Sequence, residues 1–246
     1  MRLDKLLCEL NIGSRSEVKV YLKKGLISVN GTIIKKPDEK VDESTCIIAY
    51  KGRTYRYQPF VYFMMNKPAG VITATKDEQD RTVMDVFRSG LKSLNCSQSD
   101  ELSYSFKTED LFPVGRLDKD TVGLLLITND GELAHRLLSP AKHVPKTYYV
   151  ETDLPIDNTQ IAALEQGVDI GEKHITKEAY VEPISEKTCK ITITEGKFHQ
   201  VKRMFQAVGL KVMYLKRLSM GSLTLDESLP EGSIRPLTQA EVEELC

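Results

Sequence analysis

The chain has 246 residues, 41% of them hydrophobic and 28% charged, with a formal net charge of −1. That length allows one large or two modest domains, the apolar share supports a folded core, and no apolar run approaches the ~18 residues of a membrane span. Cys8, Cys46, Cys96, Cys189 and Cys246 stand singly with no Cys-x-x-Cys pair, so neither a zinc site nor a disulfide framework is expected, and the odd count fits a reducing cytoplasm. The start, MRLDKLLCEL, carries charges inside what would be the apolar run of a secretory signal. The near-zero net charge hides an asymmetry. Residues 1–58 hold twelve basic against seven acidic side chains, whereas the tail from Asp226 holds six acids against Arg235 alone. The basic excess permits a polyanionic partner.

In chain order, Leu3, Leu6, Leu7 and Leu10 follow helical spacing, and Gly13 suits the end of that helix. Ser14 with Glu17 forms a capping box for a second helix, whose apolar side is Val18, Tyr21 and Leu22 and whose end is Gly25. LISVNGTII then reads as strand, Asn30-Gly31 turn, strand. KGRTYRYQPF is expected to be a linker. VYFMMNKPAGVIT is an apolar strand stopped at Asn66-Lys67-Pro68, with Gly70 allowing a turn into another strand. The Ser-rich run from Arg88 to Asp110 reads as a surface insertion.

Arg116 to Asp120 is a charged run standing directly before an apolar strand, Leu124 to Ile127. In an extended segment Arg116 and Asp118 point one way and Leu117 the other, toward a core. GELAHRLLSP follows as a short helix, KTYYVET as a strand and DNTQIAALEQGV as a helix, before KEAYVEPI. In TCKITITEGKFHQVKRMFQAVG a strand turns at Gly196 into a helix faced by Val201, Met204, Phe205 and Val208. YLKRLSMGSLTL supplies more strand. With few regular strand-helix-strand repeats, the fold class expected is α+β: a small helix-hairpin domain at 1–58, then a mixed, mainly antiparallel sheet with flanking helices at 59–246.

The first of these domains, with its basic fringe, resembles the RNA-binding domain first seen in ribosomal protein S4. Arg2, Lys5, Arg15, Lys19, Lys23, Lys24, Lys35 and Lys36 are its candidate RNA contacts. YFMMNKP, GRLDKDTVGLLLITNDG, KTYYV and EGKFHQVKRMF, in that order behind such a module, resemble the pseudouridine synthases of the small-subunit rRNA type. The likeness covers nearly the whole chain apart from the Ser-rich run. It implies isomerisation of a uridine in ribosomal RNA, most directly 16S RNA of a small-subunit assembly particle, by a cytoplasmic monomer with no membrane association.

The family's catalytic aspartate falls on Asp118, its tyrosine on Tyr148 and its third-motif basic residue on Lys202, while Arg116 matches the arginine that fills the place of the extracted base. The reaction moves a glycosidic bond from N1 to C5 of uracil and needs no external energy, so no cofactor and no metal is expected. One carboxylate can do the proton or covalent work, and a tyrosine ring offers the uracil a surface. Lys202, or Arg203 beside it, could keep Asp118 ionised, and Arg203 is also a candidate substrate contact. His199 is expected to be structural, Asn66 and Lys67 to shape a turn, and Asp120 and Asp130 to be loop acids. A 23S RNA substrate, a non-catalytic ribosome-assembly factor, and a glycoside hydrolase lacking its second carboxylate are the alternatives.

Overall fold

Residues 1–97, 106 and 108–245 are described by a computed structural model. The chain divides into two compact units, Met1–Val61 with Lys92–Leu111, and Tyr62–Leu91 with Phe112–Cys246.

In the first unit α1 (Leu3–Glu9) and α2 (Arg15–Lys23) pack on a sheet in the order β2-β1-β3-β4, formed by β1 (Ile27–Val29), β2 (Thr32–Ile33), β3 (Ile47–Tyr50) and β4 (Arg53–Arg56). The capping box is present in full: the Ser14 hydroxyl accepts from the Glu17 amide while the Ser14 amide donates to the Glu17 carboxylate. Asn30 and Gly31 both take positive φ, 50° and 81°, the requirement of the tight hairpin turn between β1 and β2. Leu3, Leu6, Leu7, Val18, Leu22, Ile27 and Ile48 close the core without exposed surface. Two expectations change. α1 ends earlier than Gly13, and the left-handed residue there is Asn11 at φ 53°, whose short polar side chain tolerates that region. The supposed linker contains β4, which pairs antiparallel with β3 through Arg56↔Ile47. Its largely exposed, mostly polar residues suit an edge strand.

The second unit runs β5 (Tyr62–Lys67), α3 (Val83–Ser97), β6 (Phe112–Pro113), β7 (Val122–Thr128), α4 (Gly131–Leu138), β8 (Lys146–Thr152), α5 (Asn158–Gln166), β9 (Tyr180–Ser185), β10 (Thr188–Ile193), α6 (Gln200–Ala207), β11 (Val212–Met220), β12 (Leu223–Thr224), β13 (Ile234–Pro236) and α7 (Gln239–Leu245). The sheet order is β13-β5-β7-β11-β8-β10-β9, with β6 on β7 and β12 on β11. Every pairing is antiparallel except β7 with β11. The architecture is therefore α+β with a mixed, mainly antiparallel sheet, as the sequence implied.

β7 is buried at all seven positions, which explains its unbroken apolar run: both faces of this central strand are covered. Gly123 is required there, since a Cβ would stand 2.3 Å from the Arg217 carbonyl oxygen of β11. Ile72, expected to open a strand, makes only an isolated bridge with Thr82. The Ser-rich reading of Arg88 to Asp110 is corrected at both ends: α3 continues through Ser97, and Thr108–Asp110 is a 3-10 turn. Its middle, 98–105 and 107, lies outside the described residues. No described helix is long and apolar enough to cross a membrane.

At the sheet's end Arg235 of β13 pairs with Asp226 at 2.8 Å and with Glu241 of α7 at 2.7 Å. That guanidinium holds the Glu241 carboxyl down at about 2, against an ordinary 4.5. A depressed carboxyl stabilises the fold fully above its unfolded value and loses that contribution as pH falls from about 4.5 toward about 2. Glu241→Gln should cost about 1–2 kcal/mol at pH 7 in urea unfolding. The difference from wild type should shrink through that acid window. A difference independent of pH would contradict the pairing.

Candidate active site

The site begins with the end of β5. Lys67 is fully buried, and its ammonium donates to four carbonyl oxygens: Pro68 at 3.1 Å, Asp118 at 3.0 Å, Lys119 at 3.3 Å and Thr121 at 2.8 Å. Three of these belong to the loop before β7. The same loop is fixed by Thr73, whose hydroxyl accepts from the Leu117 amide at 3.1 Å and donates to the Leu117 carbonyl at 2.8 Å. The Gly70 amide adds a bond to the Lys119 carbonyl. Burial pushes the Lys67 ammonium down to about 8, with Asp120 and Asp118 opposing that trend. Sequence reasoning placed Lys67 at a turn, while the structure makes it the internal brace of the Asp118 loop.

Within that loop Leu117 is buried, Arg116 is exposed and Asp118 is a quarter exposed, the alternation expected of an extended segment. Among the described residues Arg116 makes no hydrogen bond or ion pair. Asp118 faces α6 and the turn before it. Lys202 Nζ stands 3.3 Å from Asp118 Oδ2 and His199 Nε2 stands 3.5 Å from Asp118 Oδ1. Lys202 also donates to Asp120 Oδ1 at 2.5 Å, which holds the Asp120 carboxyl below its usual range. Of the two neighbouring cations, Lys202 is thus the one beside Asp118. The Arg203 guanidinium turns instead to Glu172 at 2.9 Å, the Phe198 carbonyl at 3.0 Å and the Ile170 carbonyl. Arg203, expected at a substrate, is sent by the roughly 100° between adjacent helical positions to bracing a loop.

These groups border a cavity of about 940 Å³ lined by Arg116, Asp118, Lys146, Tyr148, His199 and Arg217 among others. Tyr148 lies on β8 with its ring largely buried, while Tyr149 points to the other face and donates to Glu151. Among the described residues the Tyr148 hydroxyl has no hydrogen-bond partner. Arg217 of β11 sits directly across from Tyr148. It is 2% exposed, gives Nε to the Leu124 carbonyl at 2.8 Å, and leaves Nη2 without a partner. Lys146, two residues before Tyr148, is buried and donates to the Val144 carbonyl; burial, then the Arg217 charge, lowers its ammonium below the ordinary lysine range. Neither cation has an acidic partner among the described residues. The cavity floor therefore carries positive charge with no acidic partner around an aromatic ring, while Asp118 and Glu195 also line the cavity. Such a surface suits a flat, polar ring that gains negative charge.

Arg217 and Lys146 were missed as site residues. The signal for Arg217 was available: β11 alternates, and position 217 shares the inward side with Leu215, so a charged residue there needed a reason. His199, expected to be structural, contacts Asp118. Asp130 is a helix cap: its carboxylate accepts from the Leu133 amide and from the Tyr62 hydroxyl. In the first unit the eight candidate RNA contacts are all exposed, although Arg2 is engaged by Asp4 at 2.8 Å.

The family model of RNA pseudouridylate synthases matches residues 61–207, and that of the S4 domain matches residues 1–45. The RNA pseudouridine synthase YtzG of Bacillus subtilis is 46% identical, over 98% of this chain and 97% of its own. The ribosomal small subunit pseudouridine synthase A of Haemophilus influenzae is 37% identical over 100% and 99%. A crystal structure of a pseudouridylate synthase superposes with a TM-score of 0.66 at 36% identity, covering 100% of both chains.

Replacing Lys67 by Met would leave the loop carbonyls without their shared donor. Lys67→Met should lower stability by about 2–3 kcal/mol and accelerate amide exchange of Leu117 to Thr121 at least tenfold. Unchanged exchange in that loop would show that Thr73 and Gly70 suffice.

Proposed function

We propose that this chain, which belongs to the RNA pseudouridylate synthases, converts a uridine of small-subunit ribosomal RNA to pseudouridine with Asp118 as its catalytic group. The observation that carries the reading is Asp118 itself, over-determined in position by Lys67 and Thr73, ion-paired by Lys202 and facing a cavity floored by Tyr148. The names of close relatives supply the small-subunit substrate.

The reaction breaks the bond from N1 of uracil to C1′ of the ribose, rotates the base, joins C5 to C1′, releases the C5 hydrogen as a proton and takes up a proton at N1. The electron pair of the broken bond goes to the uracil ring and returns in the new one. Asp118 acts at the sugar or base. Lys202 pairs with its carboxylate and orients it, with Asp120 sharing the ammonium. Tyr148 supports the ring. Lys146 and Arg217 stabilise the charge that collects on the uracil oxygens while the base is detached. Extraction of the uridine costs a few kcal/mol of stacking, and Arg116, unengaged at the rim, fills the gap left in the RNA.

Residues 1–58 hold the RNA and 59–246 carry out the chemistry. The protein works as a cytoplasmic monomer on RNA in a small-subunit assembly particle.

Wild type should release tritium from 16S RNA labelled at uridine C5, and Asp118→Asn should release none. Lys202→Met should retain binding and lose about 10²- to 10³-fold in kcat. Release by Asp118→Asn at the wild-type rate would remove the assignment. For the basic surface, Lys23→Glu with Lys24→Glu should weaken RNA binding and reduce the slope of log Kd against log salt by about 1.5. An unchanged slope would remove that patch from the interface.

A further inference from the structure

Phe198 is 68% exposed, among the most exposed large apolar side chains described. It is not loose. Its ring stacks on His199 with centroids 3.8 Å apart and planes 20° from parallel. His199 in turn reaches Asp118, so a chain of contacts runs from the carboxylate through the imidazole to the phenyl ring. The backbone that presents the two rings is held from several sides. Arg203 donates to the Phe198 carbonyl, and Gln200, almost fully buried, accepts from the Lys197 amide and donates to Glu195.

His199 itself sits at φ 48°, a left-handed conformation that costs a non-glycine residue free energy and that persists where the surroundings impose it. The strain keeps a large apolar ring at the cavity mouth, with one face against a histidine and the other open. A ring placed for packing would be buried, whereas this one is exposed on a backbone held by the ion-paired Arg203 and the buried Gln200. What fits an open π face beside a cationic, RNA-facing cavity is another flat ring.

We propose that the Phe198–His199 pair is a stacking site for the nucleobase next to the target uridine. The uracil itself lies deeper, on Tyr148; the flanking base closes over Phe198 and registers the extracted nucleotide against Asp118. Stacking of this kind accepts any base, so the pair sets position rather than sequence. The proposal rests on the synthase reading for the identity of the RNA, but its main readout does not depend on turnover.

The chain has no tryptophan, so Phe198→Trp installs a single fluorescent reporter at the site. Titration with 16S RNA should quench its emission several-fold along the same isotherm that filter retention gives for binding. Phe198→Ala should raise KM for tritium release about ten- to a hundredfold with kcat within threefold, and Phe198→Tyr should restore it. RNA retained on the filter with no change in emission, or a wild-type KM in Phe198→Ala, would overturn the proposal. Quenching without tritium release by the wild type would leave the stacking site standing and sink the catalytic reading instead.

Discussion

The Lys67 ammonium is fully buried and shares its protons among four carbonyl oxygens, three of them in the loop that carries Asp118. A loop is ordinarily the least determined part of a fold, because its backbone groups are satisfied by water. Here the carbonyls turn inward to one charge at the end of β5, and the cost of burying that charge is offset only if they stay there. The loop cannot drift without stranding the ammonium, nor can the lysine leave without stranding the carbonyls. Because β5 pairs with β7 through Lys67↔Gly123, the brace is tied to the buried central strand of the sheet. A carboxylate that must meet a reacting base within a fraction of an ångström needs such an anchor.

Around that fixed carboxylate the charges are arranged by depth. Lys202 is at the rim, a quarter exposed and divided between Asp118 and Asp120. Arg217 and Lys146 are in the floor, nearly excluded from solvent and without acidic partners among the described residues. An ion pair at the rim orients the acid at modest strength. Cations in the floor act where the dielectric is low, and there a developing negative charge is stabilised most. Each is tied to one backbone carbonyl, and burial with no acid beside it among the described residues disfavours the empty site and favours the occupied one. The same parallel β7–β11 pairing that demands Gly123 brings Arg217 under the cavity.

Much of this was legible in the residues. The capping box, the Asn-Gly hairpin, the run of β7 and the alternation of Arg116, Leu117 and Asp118 are local patterns, each with one physical solution. The hidden parts are those in which distant segments meet. Lys67 looked like a turn residue because its partners lie about fifty positions away. Lys202 and Arg203 could be separated only once the helix was docked, which turned one to Asp118 and the other to Glu172. β4 was hidden because Arg53 to Arg56 is polar enough for a linker, and only the pairing with β3 makes it a strand. The Ser-rich run misled at its start because serines dominate its composition, while Val83, Val86 and Phe87 just upstream anchor a helix that continues into it.

The most direct test of the account is made in cells. Small-subunit RNA from a strain lacking this protein should be missing one pseudouridine when its modified bases are mapped, and the site should return with the wild-type gene but not with Asp118→Asn expressed to the same level. Recovery of the modification by Asp118→Asn would contradict the assignment of the chemistry to that carboxylate. A small-subunit RNA with every pseudouridine intact in the deleted strain would contradict the substrate.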